Sequence, residues 1–581
     1  MAANGTTAEA TTGPAMTANP AALAQYLGDL AWRSVATAQI LQQRAENMKA
    51  HEAAGMPPLL HFEAEEVLDG HTLQPPTNYR LLRVTRCGTD ALEQYVRRAA
   101  APVIVVDPRA GHGPGIGGFH RDSEVGMALR EGHPVYFVVF DPQPVEGQTM
   151  GAVVETLARF LDTVAARHRG KPPIVYGNCQ GGWAVALALS HCERQAGLAV
   201  LNGSPLSYWA GEPGVNPMRL LAGFTGGVWP AHLLADLGAG TFDGAWLVQN
   251  FEALRPEGVW KKYETLWAHP ERERDRFLGF ERWWNGFYFL GREELLAIVN
   301  ELFIGNKVEH GEVVVDCGCR ADLTRIHTPL LIFSSYGDNI TPPHQALAWL
   351  RSVYRSTAEL VAAQQRVVYL LHPKVGHLGI FVSADIALRE HRAILHYAEK
   401  ISQLPPGLYE MQLAAATDQQ GVAAASFVSR RLEDLQFEPQ PPGFDRVQQL
   451  SADLDDIYTK LVSPWIRLLG SKPMADFLVR SHPMRVSRQV WATSLPLGGA
   501  ELSFAAGALE EAKLDDAARE RNPWYRAERA ASAWVEQSIA AWRTLRDEGA
   551  EIAFRQLYGS DGPAAVTARF DPSQVAPPAS A

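Results

Sequence analysis

The sequence is poor in the features that define several large classes of protein. Five cysteines among 581 residues are too few, and odd in number, for a disulfide framework, which indicates a reducing compartment. Positive charge is not in excess: 53 Lys and Arg against 64 Asp and Glu give a net charge of −11, which argues against a nucleic-acid partner. No apolar run reaches about 18 residues, and the N-terminus lacks a basic and then apolar leader. We therefore expect a cytoplasmic globular protein without a transmembrane segment.

What is present fits a large globular chain with several regions. Hydrophobic residues make up 46% and charged residues 20% of the sequence, as in ordinary folded domains. Changes in composition and hydrophobic pattern predict seven regions: a disordered tail at 1–18, an N-terminal helical segment at 19–75, a first core segment at 76–206, a helical cap at 207–322, a second core segment at 323–402, a C-terminal helical region at 403–570 and a disordered tail at 571–581.

The two core segments contain short apolar runs that alternate with helical stretches. These runs are rich in Val, Ile and Leu and include YRLLRV, APVIVVD, PVYFVVFD, PPIVYG, AGLAVLNG, PLLIFSS and QRVVYLLH. Runs without polar alternation suit strands that are buried on both faces. They predict a mostly parallel sheet covered by helices.

The most informative local pattern is VYGNCQGGWAVALALSH at residues 175–191. A strand-like run ends in G-N-C-Q-G, which is the G-x-S-x-G layout of a nucleophile elbow with Cys179 in the place of serine. The helix start behind the turn favours the thiolate form of a cysteine. We interpret Cys179 as a nucleophile and predict an α/β-hydrolase fold, with a helical cap insertion and helical N- and C-terminal extensions.

A nucleophile needs a base and a group that orients the base. Asp338 follows the run PLLIFSS, and His377 follows the run QRVVYLLH, which gives the order nucleophile, acid, histidine of the hydrolase fold. His372 is the alternative base. Asp338 also suits a turn, a role that does not exclude catalysis.

The glycine-rich loop AGHGPGIGGF has two interpretations. Its Gly113-x-Gly115-x-x-Gly118 pattern, with Asp141 further along, matches a dinucleotide-binding fingerprint. However, six residues separate the strand from the first glycine of that pattern, and Pro114 removes a backbone donor.

The interpretation we favour for this loop is an oxyanion hole. In the hydrolase fold this loop supplies one backbone N–H and the residue after the nucleophile supplies the other. One predicted donor is Gln180, the residue after the nucleophile. The other is one residue of the loop: Arg109, Ala110, Gly111, His112 or Gly113.

Other chemistry-bearing residues have simpler interpretations. Cys192 lies on the helix after the elbow and suits packing. The Cys317-x-Cys319 spacing is too short to define a zinc site without further ligands, so we predict neither a metal nor a cofactor. The aromatic residues of the predicted cap suit a core, with a lipophilic acyl tunnel as the alternative.

These motifs resemble those of poly(3-hydroxyalkanoate) synthases. The box around Cys179 resembles their cysteine-containing lipase box, and the surroundings of Asp338 and His377 resemble the positions of their aspartate and histidine. The runs DPRAGHGPGIGGF and GREELLAIVNELFIGNK resemble a bacterial branch of synthase-like α/β-hydrolases over most of the chain. The resemblance to the synthases themselves covers about 80–400. It implies a Cys-His-Asp site, a 3-hydroxyacyl-coenzyme A donor and association with polyester granules.

We therefore expect an acyltransferase that acts on 3-hydroxyacyl-coenzyme A thioesters through an acyl-cysteine intermediate. Hydrolysis by the same chemistry, as in an intracellular polyhydroxyalkanoate depolymerase or an acyl-coenzyme A thioesterase, stays open because the chain departs from the synthases at Pro342-Pro343 and in its long C-terminal region. A non-catalytic role on granules is a further alternative. The expected partners are acyl-coenzyme A or a polyester, with a granule surface and a homo-oligomer left open.

Overall fold

The computed structural model describes residues 19–87, 90–91, 96–97, 99–191, 196–315, 320–417, 421–437, 442–493 and 499–559. The predicted tails at 1–18 and 571–581 lie outside the described residues. So do Cys192, Cys317 and Cys319, whose predicted roles stay predictions.

Ten strands lie side by side in one large sheet. Their bounds are β1 Glu63–Asp69, β2 Tyr79–Cys87, β3 Val103–Val106, β4 Val135–Phe140, β5 Ile174–Asn178, β6 Leu198–Asn202, β7 Leu330–Ser335, β8 Arg366–His372, β9 Gly407–Thr417 and β10 Ala423–Arg430. The order across the sheet is β1-β2-β4-β3-β5-β6-β7-β8-β9-β10, and the short strand Asp90–Ala91 pairs with β2.

The centre of the sheet is parallel. From β4 across to β9 every neighbouring pair is parallel, whereas β1 with β2, β2 with β4, and β9 with β10 are antiparallel. The order β1-β2-β4-β3-β5-β6-β7-β8, with β2 antiparallel, is that of the α/β-hydrolase fold, which confirms the predicted fold class. The carboxyl ends of β3, β5, β7 and β8 meet at one edge, where such sheets carry their sites.

Helices occupy the connections and both terminal regions. Their bounds are α1 Pro20–Ala53, α2 Glu124–Arg130, α3 Met150–Arg167, α4 Gln180–His191, α5 Leu221–Thr225, α6 Trp229–Leu237, α7 Ala245–Leu254, α8 Pro256–Ala268, α9 Pro270–Trp284, α10 Arg292–Ala297, α11 Lys307–His310, α12 Pro343–Leu347, α13 Trp349–Val353, α14 Thr357–Ala362, α15 His377–Val382, α16 Ala384–Ile386, α17 Arg392–His396, α18 Ala398–Gln403, α19 Phe444–Ile457, α20 Ser463–Leu469, α21 Lys472–Ser481, α22 Pro483–Thr493, α23 Gly499–Ala508, α24 Asp516–Arg521 and α25 Pro523–Tyr558.

Shorter elements link these helices. Turns of π-helix run over Ile298–Ile304, Ala387–His391 and Tyr458–Val462, and 3-10 turns over Gly70–Thr72, Ile116–Gly118, Pro217–Leu220, Leu323–Arg325, Leu432–Asp434 and Glu510–Ala512. Two small sheets pair Thr241–Asp243 with Phe289–Gly291 and Val313–Val314 with Arg320–Ala321. Helices α5 to α11 lie between β6 and β7, so the predicted helical insertion is present.

Local sequence explains where the two longest helices begin. The side chain of Asn19 accepts from the backbone N–H of Ala21 at 3.1 Å, and Asn522 accepts from Trp524 at 3.0 Å. In both cases proline is the first helical residue, where its missing N–H costs nothing. The predicted starts of α1 and α25 are therefore confirmed.

Helices α3 and α4 bury their apolar faces against the sheet. Leu157 of α3 and Val185 of α4 belong to one buried cluster with the strand residues Ile104, Val138 and Val175. Close packing of branched side chains on both elements fixes the angle at which α4 leaves the end of β5. The position of the elbow therefore depends on this core.

The chain divides into two compact units. One is drawn from Met1–Asn47, Arg255–Glu281 and Arg488–Trp542, and is called the helical unit here; the other, from Met48–Leu254, Arg282–Ser487 and Arg543–Ala581, contains the sheet. Within the helical unit, Asp29 binds both Arg33 and Arg519, with oxygen–nitrogen distances of 2.8 and 3.0 Å. Three regions that are distant in the sequence thus share one unit.

Two stretches that the sequence predicts as helical are strands. β1 lies within the predicted segment 19–75, and β9 and β10 lie within the predicted region 403–570. Polar, charged and small residues interrupt these strands, because they lie towards the edges of the sheet and are partly exposed. The pattern of continuous apolar runs finds only strands that are buried on both faces.

Across the described residues, every helix falls short of the length or the hydropathy that a membrane-spanning helix requires.

The burial of the central strands can be tested by substitution. Ile332 on β7 is fully buried (0% exposed), whereas Ile552 on α25 is 59% exposed. We expect Ile332→Ala to lower the free energy of unfolding by about 2–5 kcal/mol, because it leaves a cavity. The matched change Ile552→Ala is expected to stay within about 0.5 kcal/mol of the parent. Urea unfolding curves measure both, and equal effects would contradict this assignment of the core.

Candidate active site

Cys179 lies in a strained turn between β5 and α4. The strand ends at Asn178, the helix begins at Gln180, and Cys179 between them has a φ of 47°. This left-handed conformation is unfavourable for a residue with a side chain and persists only where the surroundings impose it. The geometry is that of a nucleophile elbow.

Two glycines make the turn sterically feasible. A side-chain carbon on Gly177 would lie 2.6 Å from the Cα of Gly182, and one on Gly181 would lie 2.5 Å from the carbonyl oxygen of Val106. Such distances are not tolerated, so the elbow needs glycine at both positions. The backbone N–H of Cys179 also donates to the Asn202 carbonyl at 2.9 Å, which anchors the turn to β6.

Asp338 and His377 form a buried pair. The Nδ1 atom of His377 lies 2.7 Å from Oδ2 of Asp338, and the other carboxylate oxygen accepts the backbone N–H groups of Ile340 and Thr341 at 2.8 and 2.9 Å. Both side chains are buried. The carboxylate therefore fixes the orientation of the imidazole.

The turn after β7 is joined to the loop after β8. The hydroxyl of Ser335 donates to the carbonyls of His372 and Val375 at 3.1 and 2.6 Å, and Gly337 packs directly on the backbone of Lys374. In this loop Nδ1 of His372 accepts backbone N–H groups of Lys374 and Val375 at 3.2 and 2.9 Å. His372 therefore shapes the loop, and His377 is the histidine that contacts Asp338.

Cys179 acts electrostatically on this pair. Burial lowers the pKa of His377, but Asp338 and then Cys179, through charge and hydrogen bonding, outweigh burial and raise it to about 10. Because Nδ1 faces Asp338, Nε2 is the ring nitrogen left for the sulfur. The structure thus brings together the three residues that the sequence predicts as nucleophile, base and orienting acid.

The predicted oxyanion loop follows β3 and is buried from Asp107 to Gly118. The Arg109 guanidinium is bound to Asn78, Phe289 and Glu294, so only its backbone is available to a substrate.

Further along this loop, the N–H of Gly113 donates to the Gly286 carbonyl at 3.0 Å, which occupies that predicted donor. Arg109, Ala110, Gly111 and His112, together with Gln180, remain the candidate donors.

His112 lies beside the catalytic candidates. Its ring packs on Trp283 with 4.1 Å between the centroids, and its Nδ1 is 3.2 Å from the Gly113 carbonyl. Burial, with a further contribution from the charge of His377, lowers the pKa of His112 to about 4. The His112 imidazole is therefore neutral at physiological pH, and its effect on the site is steric and polar.

The contacts of the glycine loop disfavour dinucleotide binding. The N–H groups of Gly115 and Gly117, which a phosphate would need, donate to the carboxylate of Asp107 at 2.6 and 3.1 Å. Asp141, the proposed ribose ligand, is bound by Arg80 at 2.6 Å. These N–H groups of the loop are thus already bound by a carboxylate of the same chain and are not available to a phosphate.

A buried polar network beneath the elbow escapes sequence analysis. A carboxylate oxygen of Glu124 accepts from the amide of Asn178 at 2.6 Å and the other accepts from that of Asn202 at 2.9 Å. Burial raises the pKa of Glu124 to about 8, although hydrogen bonds from these amides oppose the shift. In the sequence, Glu124 has only the pattern of a helix-start acid, so no signal points to this role.

Tyr208 is a second residue that the sequence does not single out. Its side chain is buried, and its hydroxyl is without a hydrogen-bond partner among the described residues. Burial, followed by the charge of Cys179, raises the pKa of the phenol well above its usual value. The phenol is therefore a neutral O–H donor on which the charge of Cys179 acts.

One cluster of metal-ligand types lies elsewhere, in the helical unit. Ligand atoms of His269, Glu271 and Asp516 fall within 4.8 Å of one another. Arg519 binds Glu271 and Arg272 binds Asp516, both at 2.8 Å. These ion pairs account for the carboxylates without a metal ion.

The raised pKa of His377 predicts a pH-dependent stability. A pKa of about 10 in the folded chain, against about 6.5 for an ordinary histidine, means that the imidazolium stabilises the fold fully below pH 6.5 and that this stabilisation is lost as the pH rises through 10. We expect Asp338→Asn to lower the free energy of unfolding by about 2–4 kcal/mol near pH 6 and by progressively less towards pH 10.

Urea unfolding of both proteins across this pH range measures the difference. Asparagine keeps the oxygen that caps the turn, so the variant isolates the charge. A difference that stays constant between pH 6 and pH 10 would contradict the pairing of Asp338 with a protonated His377.

Solved structures with a similar fold include two hydrolases. A thermophilic esterase from Thermogutta terrifontis is 14% identical, with a TM-score of 0.30 over 58% of this chain and 100% of that chain. An alpha/beta hydrolase enzyme from a Medee basin deep-sea metagenome library is 10% identical, with a TM-score of 0.29 over 59% of this chain and 99% of that chain. The strand order, not these likenesses, assigns the fold.

Relatives in sequence are much closer. An "uncharacterized protein in ackA 5'region" of Rhizobium meliloti is 40% identical over 547 residues, which cover 91% of this chain and 74% of the relative. A family model described as "protein of unknown function (DUF3141)" matches residues 29–579. The chain therefore belongs to the DUF3141 family.

Proposed function

We propose that the protein is an acyltransferase that accepts 3-hydroxyacyl-coenzyme A thioesters through an acyl-Cys179 intermediate. The observations that carry the proposal are the elbow conformation of Cys179 and the His377–Asp338 pair, on whose imidazole the charge of the Cys179 sulfur acts. The sequence resemblance to poly(3-hydroxyalkanoate) synthases supports the choice of substrate. Coenzyme A enters as part of the substrate, and no resident cofactor takes part.

In the first half-reaction, His377 holds the proton of Cys179 and the thiolate attacks the acyl carbonyl. The negative charge that develops on the carbonyl oxygen is stabilised by backbone N–H groups, one at Gln180 and one among Arg109, Ala110, Gly111 and His112. The carbon–sulfur bond of the thioester then breaks, and His377 gives its proton to the departing coenzyme A thiolate. The products are free coenzyme A and acyl-Cys179.

In the second half-reaction, an incoming hydroxyl attacks acyl-Cys179. His377, neutral again and still oriented by Asp338, takes the proton of this hydroxyl. Expulsion of the Cys179 thiolate yields the new ester and restores the starting site. The hydroxyl of another 3-hydroxyacyl group gives chain growth, and water gives hydrolysis.

The choice of sulfur favours transfer from a thioester. Attack of a thiolate on a thioester produces another thioester, so the first step is nearly balanced in free energy, and transfer to a hydroxyl is downhill. A serine would form an oxoester at once and leave little driving force for a second alcohol. The thiol therefore suits acyl transfer better than lipase chemistry.

Hydrolysis is the second candidate function. The α/β-hydrolase strand order is compatible with a depolymerase or an acyl-coenzyme A thioesterase, and the second half-reaction accepts water without any change of residues. A polyester granule surface as a partner, and a homo-oligomer, belong to the acyltransferase proposal.

Replacement of Cys179 tests the nucleophile. Mass spectrometry of the intact protein after mixing with 3-hydroxybutyryl-coenzyme A is expected to show an acyl adduct on the parent chain and none on Cys179→Ala, because the variant lacks the attacking atom. Coenzyme A release should fall by about a thousandfold or more. Cys87→Ala, which removes the other described free cysteine, should behave as the parent.

Product analysis in the same experiment separates the two functions. Oligomeric hydroxyacyl product identifies transfer, and free acid identifies hydrolysis. Undiminished coenzyme A release by Cys179→Ala would overturn the assignment of the nucleophile and, with it, both functions.

The free hydroxyl of Tyr208 provides a further test. We expect this O–H to donate to the carbonyl oxygen during attack, so Tyr208→Phe should lower kcat by about a hundredfold and change KM little. The control is Tyr409→Phe, whose hydroxyl bonds the Pro405 carbonyl on the surface. Steady-state kinetics measure both, and an unchanged kcat in Tyr208→Phe would remove the residue from the mechanism.

A further inference from the structure

A large apolar surface lies on the helices that follow the sheet. It covers residues 457–477, from the end of α19 to the middle of α21, and is called the 457–477 surface. Its exposed side chains include Ile457, Leu461, Trp465, Leu468, Leu469 and Phe477. The three most exposed are Leu468 at 77%, Trp465 at 70% and Leu461 at 67%.

Helical periodicity gathers these side chains on one face. Ile457, Leu461, Trp465 and Leu468 follow one another at intervals of three or four residues along α19, the π turn and α20. The face they form is continuous with Leu469 at the end of α20. Single apolar residues scattered over a surface are normal, whereas a contiguous group on one face is typical of an interaction site.

The opposite face of the same helices is anchored, so the exposure is not a failure of packing. The hydroxyls of Tyr458 and Ser463 donate to one carboxylate oxygen of Asp236 at 2.9 and 2.6 Å, and Gly470 packs directly on the Asp236 backbone. Tyr458, Ser463 and Asp236 are buried. The anchored face therefore presents the apolar residues outward in a fixed orientation.

The charges around this surface indicate its partner. Across residues 457–477 the chain has three basic residues, Lys460, Arg467 and Lys472, and one acidic residue, Asp476, although the whole chain carries a net charge of −11. Arg467 is exposed between Trp465 and Leu468. Lys460 and Lys472 also pair with Asp456 and Asp476 at 2.7 and 3.3 Å.

We propose that the 457–477 surface docks the protein on an anionic phospholipid surface. Tryptophan, leucine and phenylalanine beside basic residues are the composition of helices that lie in the membrane interface, where the apolar face enters the acyl boundary and the cations meet the headgroups. A symmetric contact with a second copy would bring Arg467 and its neighbours against the same charges. An uncharged polymer surface would offer Arg467 no partner.

Co-sedimentation of the full chain with vesicles tests this docking. We expect binding to vesicles of equal parts phosphatidylglycerol and phosphatidylcholine, weakened by salt, and little binding to phosphatidylcholine alone. Trp465→Ser combined with Leu468→Ser should weaken binding to the anionic vesicles by about tenfold or more. Arg467→Glu should weaken it as well, since it reverses a charge at the centre of the surface.

The matched control is Trp534→Ser. Trp534 is 69% exposed but lies on α25, outside the 457–477 surface, so its removal should leave vesicle binding unchanged. Thermal unfolding of each variant confirms that it is folded. Cys179→Ala should bind as the parent does, which separates this proposal from the catalytic one.

Three results would overturn the docking proposal. The parent chain could fail to bind anionic vesicles, or the double variant could bind as well as the parent. Sedimentation velocity could also show a dimer that only the double variant abolishes, in the absence of vesicle binding, in which case a second copy covers this surface.

Discussion

The candidate site depends on one constraint: the left-handed backbone of Cys179 at the end of β5. This conformation costs about 1–3 kcal/mol, and it persists because packing of α3 and α4 on the sheet fixes both ends of the turn. Gly177 and Gly181 allow the approach that this packing demands. The sulfur is thereby held at the sheet edge, where the loops after β7 and β8 bring Asp338 and His377.

Buried polar groups beneath the elbow help to hold the backbone of Cys179 in its left-handed conformation. Glu124, largely protonated at neutral pH because burial raises its pKa to about 8, binds the amides of Asn178 and Asn202 on the two strands that end at the site. Asp107 is held by the loop glycines, and burial raises its pKa to about 6. Both carboxyl groups are bonded in a region where an unpaired polar group would be costly. They act on the geometry of the turn and not on the substrate.

Sequence reasoning succeeds where the signal is local. The elbow, Asp338 and His377 each follow a buried strand whose residues form a continuous apolar run, so their order predicts their proximity. It fails where burial is one-sided, as at β1, β9 and β10, and where the partners are distant in sequence. No pattern near Asp29 indicates that it will bind Arg519, and hence that chain segments from both ends share the helical unit. The free hydroxyl of Tyr208 is likewise visible only once the loop after β6 is folded.

The electrostatic interaction between Cys179 and His377 would serve both halves of the proposed reaction. Before acylation, Asp338 and then Cys179, through charge and hydrogen bonding, raise the pKa of the imidazole against the effect of burial, which would favour transfer of the cysteine proton to His377. In the proposed reaction, acylation would remove the negative charge from the sulfur and pass the proton to coenzyme A. Only Asp338 would then oppose burial, so the pKa of His377 would be lower than before acylation. The imidazole would act as general base on the incoming hydroxyl, and the charge state of one sulfur would thus favour each role of the histidine in turn.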